Sequence, residues 1–565
     1  MQNDANSAVS YFDLGNSQQS AGEFEEAIAS YRKAIEINPA YAIAYNNLGN
    51  TLQLLGKLAE AEESYLRALK LEENFPEALI NLGNTQRAMG KFDEAERSYR
   101  QAIANNSNLF QAHCNLGVTL LDIGRTESSI ECFEKAINLE PNIAQVHNNL
   151  SIALMRLGQD SEAAIVCRKA LSLDPDSAVA HNNLGTILQK TSRLEEAQVS
   201  FLEAIRLRPT YAEPYNNLGN NFRKQCKPEA AEKYYRTAIS LNANFADAYC
   251  NLAIVFNEQE KYVDAEKGFL RALALKPNYG DAYYNLGNTL KAVKRYDEAI
   301  TKYNKVSNPA ATSLVLECLY MAGRYDDFFE RLNMVSNLNR ANIRVAAISA
   351  FVSNQVHKKD IYPFCPDPIR FLKIAHLSNF IDEWESLVSN ILVEATSYEL
   401  TWESRTTKFG YQSVGNLFDK SRPHAASLEQ VINLAIASYL EEFGSETNVF
   451  IKEWPKKTRI MAWFNKLMKK GYQKSHIHPS SWLSGVVYLE TIDSLSGDEG
   501  AIELGLHGYD LPILDAKYPR ITHSPKRGDL ILFPSSLFHR TLPFTTEQSR
   551  CVIAFDLAPI NEIIN

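Results

Sequence analysis

The sequence predicts two folds in tandem, an all-α solenoid followed by an antiparallel β barrel with flanking helices. Three observations carry this. A 34-residue unit repeats nine times without a gap from Ala8 to Ser313. Beyond Asn448 the hydrophobic pattern changes to apolar–polar alternation broken by Gly, Pro and Ser, the pattern of half-buried strands. No helical stretches alternate with those strands, which disfavours a parallel α/β sheet.

The marks of the unit are Leu-Gly at positions 7–8, present in seven of the nine repeats, as in Leu14-Gly15, Leu48-Gly49 and Leu82-Gly83, with Ala near position 20 and Tyr or Phe at 24. Ala34, Ala68, Ala102, Ala136, Ala170, Ala204, Ala238 and Ala272 occupy position 27. Small residues let paired helices approach, large ones fill the remaining space, and neither helix buries its face without the next repeat. Pro39, Pro141, Pro175, Pro209 and Pro277 punctuate the units, because proline cannot continue a helix. This pattern is similar to the tetratricopeptide repeat, a helix–turn–helix unit. It assigns residues 1–313 to nine repeats. Residues 314–368 read as a degenerate helix pair capping the stack, then a linker at the three-proline stretch Tyr362–Pro368. Residues 369–565 form the second domain.

His113, His147 and His181 stand 34 apart, where other repeats carry Tyr45, Tyr215, Tyr249 and Tyr283. They read as packing residues with a polar tip. Adjacent-repeat spacing is too wide for ligand bonds of about 2.1 Å to one metal.

Position 6 is asparagine in eight successive repeats: Asn47, Asn81, Asn115, Asn149, Asn183, Asn217, Asn251 and Asn285. One residue before the core leucine, these amides are expected to face the concave groove, where their removal would leave folding largely unchanged. A carboxamide donates and accepts, so it can pair with a peptide bond whatever the side chain. The alternative is that asparagine is simply common at this position. The ladder resembles that of the O-linked N-acetylglucosamine transferases, a resemblance that implies a protein or peptide partner. It ends with the repeats, since the second half lacks Gly-rich nucleotide-sugar turns.

Composition sets outer bounds. The 45% apolar and 22% charged content is that of a soluble globular protein. A net charge of −9 over 565 residues argues against a dedicated nucleic-acid binder. No apolar stretch is long enough to span a bilayer, and no signal peptide is indicated. Eight scattered cysteines with no CxxC read as reduced thiols, which points to the cytoplasm.

In the second domain, helical patterns at Trp384–Glu394 and Ser427–Phe443 precede strand signals in VFIKEW, RIMAWFNKLM, WLSGVVYLE, GAIELG, GDLILFP and RCVIAFDL. These fit a two-sheet jellyroll. His476 and His478 lie two apart, on one face if they share a strand. His539 follows a strand ending at Phe533 and a Pro534-Ser535-Ser536 turn, and Arg550 opens the last strand. Three strand-end imidazoles with a cation eleven residues after the last fit a metal site beside an anionic co-substrate. His507 and His523, in Gly- and Pro-rich settings, read as surface or lid residues. The basic run Lys452–Lys474 reads either as flanking an entry for an anion or as a solvated edge.

HIHP followed by SGVVYLE, then FHR and RCVIAFDL, resembles the iron(II)/2-oxoglutarate-dependent oxygenases. It closely resembles a bacterial subfamily with HxHP followed by SGVYY-like text. The resemblance implies a double-stranded β-helix that holds Fe(II) through His476, His478 and His539, with 2-oxoglutarate gripped by Arg550. A guanidinium suits a carboxylate through two parallel hydrogen bonds. Gly471-Tyr472 resembles the segment before the metal motif of prolyl hydroxylases, which implies that Tyr472 contacts co-substrate or substrate; otherwise it is an inward core residue. The family's usual carboxylate position is His478 here. Three readings stand: His478 ligates, water takes its place, or Asp498, Glu499 or Glu503 supplies an oxygen. The implied activity is hydroxylation of a protein or peptide recruited by the repeats. The alternatives are an interaction scaffold with an inactive barrel and an oxygenase of small molecules whose repeats serve docking.

Overall fold

The computed structural model describes residues 2–402, 406–419, 422–492 and 497–560, with side chains from residue 7 onward. Two compact units comprise Met1–Gln259 and Glu260–Asn565.

The first unit is helical, from Gln2–Ala21 to Ala246–Glu258. A 13-residue helix such as Ala42–Leu54 alternates with a 14-residue one such as Leu58–Leu71. The Leu-Gly mark has a steric cause. A Cβ on Gly49 would lie 2.7 Å from the Tyr65 ring and one on Gly83 2.6 Å from Tyr99, well inside van der Waals contact. In the fifth repeat position 8 is Ser151, and there position 24 is the smaller Cys167. Buried tyrosine hydroxyls reach back to the first helix, Tyr65 donating to Asn50 at 2.7 Å and Tyr99 to Asn84 at 2.7 Å. His113, His147 and His181 place Nε2 3.1, 2.8 and 3.0 Å from the carbonyls of Ser107, Pro141 and Pro175. Tyr215 makes the same contact to Pro209. These histidines are packing residues with a satisfied tip.

All eight ladder asparagines are half-buried, and their amides are not free. Asn81, Asn183, Asn217 and Asn251 donate through Nδ2 to Oδ1 of Asn46, Asn148, Asn182 and Asn216, the position-5 residue one repeat back, at 2.9–3.1 Å. Asn115 faces Ile80 at that place, which has no acceptor, and turns to Asn84 instead. Asn47 donates to Asn16, Asn149 accepts from Gln145, and Asn285 bonds the Asp281 carbonyl. The expectation that these residues are neutral for folding is therefore corrected. The donor half of most amides ties one repeat to the one before, at 2.9–3.1 Å.

The second unit begins with six helices, the last three being Pro309–Met321, Tyr325–Leu338 and Ile343–Gln355. Eleven residues of the 13-residue Ile343–Gln355 helix are buried. It is more than a solvent-facing cap. Gln355 donates to the Asp515 carbonyl and accepts from the backbone of Leu514 and Asp515, and Tyr320 donates to the Pro512 carbonyl. The stretch read as a linker is also packed: Tyr362, Phe364 and Cys365 are buried, and Phe364 meets Phe450 and Trp482 edge-on.

The helical repeats are followed by an antiparallel, curled β half-barrel with flanking helices, among them Trp384–Glu394 and Pro423–Phe443. Its strands are β1 (Lys373–His376), β2 (Leu400–Trp402), β3 (Thr407–Ser413), β4 (Thr458–His476), β5 (Leu483–Glu490), β6 (Ile502–Gly505), β7 (Arg520–His523), β8 (Asp529–Pro534), β9 (Phe538–Thr541) and β10 (Arg550–Pro559). They run in the order β1-β8-β5-β10-β4-β9-β6-β7, with β3 pairing β4 and β2 beyond it. The 19-residue β4 serves both halves of the curl: Thr458–Leu467 pairs with β10, whereas Gln473 and His476 pair with Thr541 and His539 of β9. Between these stretches Lys470 adopts φ 65°, and Gly471 sits where a Cβ would be 2.5 Å from the Met468 carbonyl oxygen. That bend swings the end of β4 across the barrel and places His476. VFIKEW is not a strand: Asn448 caps a short helix, Val449–Lys452, by accepting from the Ile451 amide at 3.1 Å. Val449, Phe450 and Ile451 are all buried, a run that alternation does not describe. Among the described residues no helix is long and apolar enough to cross a membrane.

Candidate metal centre

His476 closes β4, His478 follows two residues later outside any strand, and His539 lies in β9 directly opposite His476. The expectation that His476 and His478 share one strand face is corrected. The chain leaves the sheet after His476, and the His478 amide donates to the Ser535 carbonyl at 3.2 Å, which brings the second imidazole back. The three ring centroids are 4.3–5.1 Å apart. One nitrogen from each ring can be chosen so that all lie within 4.8 Å of one another.

The nitrogens that face away are engaged. Nδ1 of His476 lies 2.7 Å from the Lys474 carbonyl, Nδ1 of His539 3.3 Å from the Leu537 carbonyl, and Nδ1 of His478 2.7 Å from Asp556 Oδ2. These partners only accept, so each Nδ1 carries the proton and each Nε2 keeps its lone pair. His478 Nε2 is buried with no partner. Burial, followed by the neighbouring His478, lowers the His476 pKa to about 4, and burial with both neighbours holds His539 well below its usual value. Neutral imidazoles with fixed tautomers are what a divalent metal requires. The residues fit such an ion.

The histidines line a cavity of about 320 Å³ with Trp463, Gln473, Ser484, Thr541, Arg550 and Asp556, among others. Arg550 is 2% exposed and has no ion-pair partner among the described residues. Its guanidinium donates to Tyr488 at 2.9 Å and lies over that ring, while its Nε has no partner. A buried guanidinium without a counter-charge is costly, so this corner suits an anionic ligand. Asn465, 1% exposed on β4 opposite Val552 of β10, leaves both amide atoms unpartnered.

The other sequence candidates fall elsewhere. Glu503 pairs with Arg540, Glu499 accepts from Thr545, and neither they nor Asp498 belongs to the histidine cluster. Tyr472 does not line the histidine cavity. It lines a larger neighbouring one of about 680 Å³ with Phe409, Lys470, Lys474, Tyr509 and Arg540. Gln473 and Thr541, which border both cavities, are joined at 3.2 Å. His507 is half-buried in a loop that borders the larger cavity, where it bonds the Leu511 carbonyl and packs against Phe351 and Tyr518. His523 lies in β7, half-buried, with Nε2 2.9 Å from Asp529.

Asp556, Tyr488 and Asn465 are the polar groups that sequence reading missed. Asp556 was findable: in RCVIAFDL it stands six residues after Arg550, an even step that puts both on one face of the strand. Nothing in the sequence flagged the hydroxyl of Tyr488 or the amide of Asn465.

Comparison with known proteins agrees with this organisation. Residues 461–556 match the family described as Putative 2OG-Fe(II) oxygenase, a span that contains all three histidines, Arg550 and Asp556. Residues 15–56 match a TPR repeat, and residues 42–75 and 269–301 match the tetratricopeptide repeat. Residues 72–282 match the Cilia and flagella-associated protein 70 C-terminal domain. No curated protein matches the chain. Among solved structures, the APC/C hetero-tetramer Cut9–Hcn1 aligns at 20% identity and TM-score 0.39, over 47% of this chain and about half (52%) of that one. YrrB, titled a TPR protein with an unusual peptide-binding site, aligns at 20% identity and TM-score 0.28, over 33% of this chain and 96% of that one. MamA aligns at 24% identity and TM-score 0.27, over 29% and 96%. The chain carries tetratricopeptide repeats in its N-terminal part and, towards its C-terminus, a domain of the Putative 2OG-Fe(II) oxygenase family with a triad of histidines.

Proposed function

We propose that this protein is an iron(II)- and 2-oxoglutarate-dependent oxygenase that hydroxylates a polypeptide recruited by its repeats. The observation that carries the reading is the shared cavity. Three neutral imidazoles converge there, and a buried guanidinium with no ion-pair partner among the described residues lies in the same space. His476, His478 and His539 hold the ferrous ion through Nε2, and Arg550, steadied by Tyr488, takes the far carboxylate of the co-substrate. When bound, iron and 2-oxoglutarate supply oxidation by molecular oxygen coupled to release of succinate and carbon dioxide. The chain supplies the rest. Nδ1 hydrogen bonds hold the imidazoles in one tautomer, Phe533 packs on His539 at 4.7 Å, and Trp463 stacks on His478 at 5.7 Å to limit water.

The larger cavity beyond Gln473 and Thr541 is the acceptor's approach. Neither Lys470 nor Lys474 ion-pairs with a described residue, and Tyr472 and Tyr509 flank them, so an acidic or aromatic side chain of the acceptor fits. The asparagine ladder recruits the chain through the carboxamide oxygens that the stack leaves over. A scaffold with an inactive barrel needs neither the orphaned His478 Nε2 nor a buried Arg550 without an ion-pair partner among the described residues, both of which burden stability. The eight free thiols favour the cytoplasm, where iron stays ferrous.

The test is succinate formation from 2-oxoglutarate by the full chain reconstituted with iron under anaerobic conditions and then exposed to oxygen. Turnover that disappears in Arg550→Ala supports the reading, and a wild type that forms no succinate sinks it. Trapping the metal-substituted chain on its partners, followed by mass spectrometry, identifies the acceptor. A trap that returns only small molecules removes the polypeptide part.

A further inference from the structure

Asp556 presents a carboxylate to the histidine triad without joining it. It is 8% exposed, and its one ion-pair contact among the described residues is His478. Its Oδ2 accepts from His478 Nδ1 at 2.7 Å and its Oδ1 from Ser484 at 2.7 Å, with Ser535 2.8 Å beyond Ser484. An aspartate carboxylate can accept on both oxygens at once, as these contacts place it to do. The same carboxylate therefore sits one imidazole outside the place where a two-histidine, one-carboxylate site has its anion.

Charge in the cavity sharpens the point. Among the described residues, Asp556 and Arg550 are the only Asp, Glu, Lys or Arg residues lining it, one negative and one positive. A divalent cation and a doubly charged anion would add charges that cancel, so the filled cavity would be neutral. Without Asp556 it would keep one uncompensated positive charge in a buried space, a large penalty in low dielectric. A ligating carboxylate at position 478 would give the same total as neutral His478 with Asp556 behind it.

We propose that Asp556 is a positioning residue that, through His478, supplies the metal with the negative charge a ligating carboxylate would otherwise provide. The proposal rests on the metal-site reading above. Asp556 holds His478 in the Nδ1-protonated tautomer, aims Nε2 inward and strengthens it as a donor. Carboxylate partners of ligating histidines typically contribute about 10–100-fold to metal affinity. The tether of Asp556 to Ser484 and Ser535 keeps the carboxylate from swinging in to ligate directly.

The experiment is a double-mutant cycle on the full chain, with Co(II) as the probe metal and its visible spectrum and competition affinity as readouts. Wild type is expected to bind one Co(II), and Asp556→Asn about 10–100-fold more weakly, with unchanged circular dichroism. The decisive arm is His478→Asp, which brings a carboxylate into the triad directly. In that background Asp556→Asn should no longer weaken Co(II) and should strengthen it, because the two carboxylates would otherwise repel across the gap. Asp556→Asn binding Co(II) like wild type overturns the proposal and leaves the triad standing. Equal loss in both backgrounds overturns it too, by showing that Asp556 merely supports the fold. Failure of the wild type to bind Co(II) removes the metal site itself and this proposal with it.

Discussion

The chain contains two sets of three histidines, and they are wired in opposite senses. In the repeats, His113, His147 and His181 commit Nε2 to a backbone carbonyl six residues upstream. In the barrel, His476, His478 and His539 commit Nδ1 instead, to Lys474, Asp556 and Leu537, and Nε2 points into a cavity. The asparagines divide the same way. Asn183, Asn217 and Asn251 pass their amide protons to the repeat before, whereas Asn465 in the barrel has neither amide atom satisfied. In the stacked solenoid many polar groups are satisfied from within, where one repeat offers the next a polar neighbour. A closing sheet directs side chains from several strands at one interior, where only some find partners. Residue type thus says little about ligand binding; which atom is left over says more.

The largest effect that can break this contrast is on metal content. His476→Ala or His539→Ala should abolish stoichiometric iron or Co(II) binding, measured by elemental analysis after anaerobic reconstitution, and His113→Ala should leave it unchanged. Full metal occupancy in His539→Ala would end the assignment of the barrel set. Next comes the uncompensated cation. Arg550→Ala should weaken 2-oxoglutarate by roughly 3–5 kcal/mol, the usual cost of breaking a buried charged pair, while sparing the metal. Calorimetric titration of metal-loaded protein with 2-oxoglutarate checks it. An unchanged dissociation constant would pass the role to Lys526 or Arg540.

A third test asks whether every unsatisfied atom in the second unit awaits a ligand. Asp360 accepts from Ser349 and from the Tyr362 amide through Oδ1, but its Oδ2 is buried without a partner. Burial raises its pKa from 3.8 to about 6. With the folded value above the unfolded one, the protonated form is favoured on folding. That stabilisation is complete below about pH 4 and is lost as pH rises through 6, amounting to roughly 3 kcal/mol or less. Asp360→Asn should therefore flatten the pH dependence of chemical denaturation between pH 4 and 7 and raise stability at pH 7. An unaltered slope would mean that the oxygen is satisfied by water.

The smallest effects sharpen the account of the ladder. Replacing buried Asn148, Asn182 and Asn216 with Ala should cost roughly 0.5–1.5 kcal/mol per lost hydrogen bond in unfolding of the repeats. It should leave polypeptide affinity unchanged. Replacing Asn183, Asn217 and Asn251 should cost similar stability and also reduce capture of the trapped polypeptide. Equal affinities for the two triple variants would demote the ladder to a clamp between repeats.

Much of this architecture was legible in the amino-acid order. Regular periods in the sequence let the repeats, the helix Trp384–Glu394 and the strands β4, β5, β6, β8 and β10 be read directly, whereas β7 falls in a stretch read as a loop and β9 was not read as a strand. So could the three histidines and Arg550, because β8 ends near the Pro534-Ser535-Ser536 turn and β10 begins at Arg550. Other features depended on partners distant in sequence. The bend at Lys470 and Gly471 that sends β4 across the barrel is set by pairing with β9 and β10, which the pattern of β4 alone does not contain. VFIKEW was misread because an asparagine cap and full burial outweighed its strand-like composition. The packing of Ile343–Gln355 on the Leu514–Asp515 backbone and of Tyr362–Cys365 beneath Trp482 involves residues far apart in the chain.

Sequence by itself determined which residue types recur, at what period and on which strand face, since those follow from bond geometry one element at a time. Tertiary structure alone decided which ring nitrogen each histidine keeps free, that Asp556 stands behind His478, and that most ladder amides spend their protons on a polar residue of the repeat before. Hydrogen-bond partnership depends on distances of about 3 Å between atoms whose separation along the chain no local rule constrains.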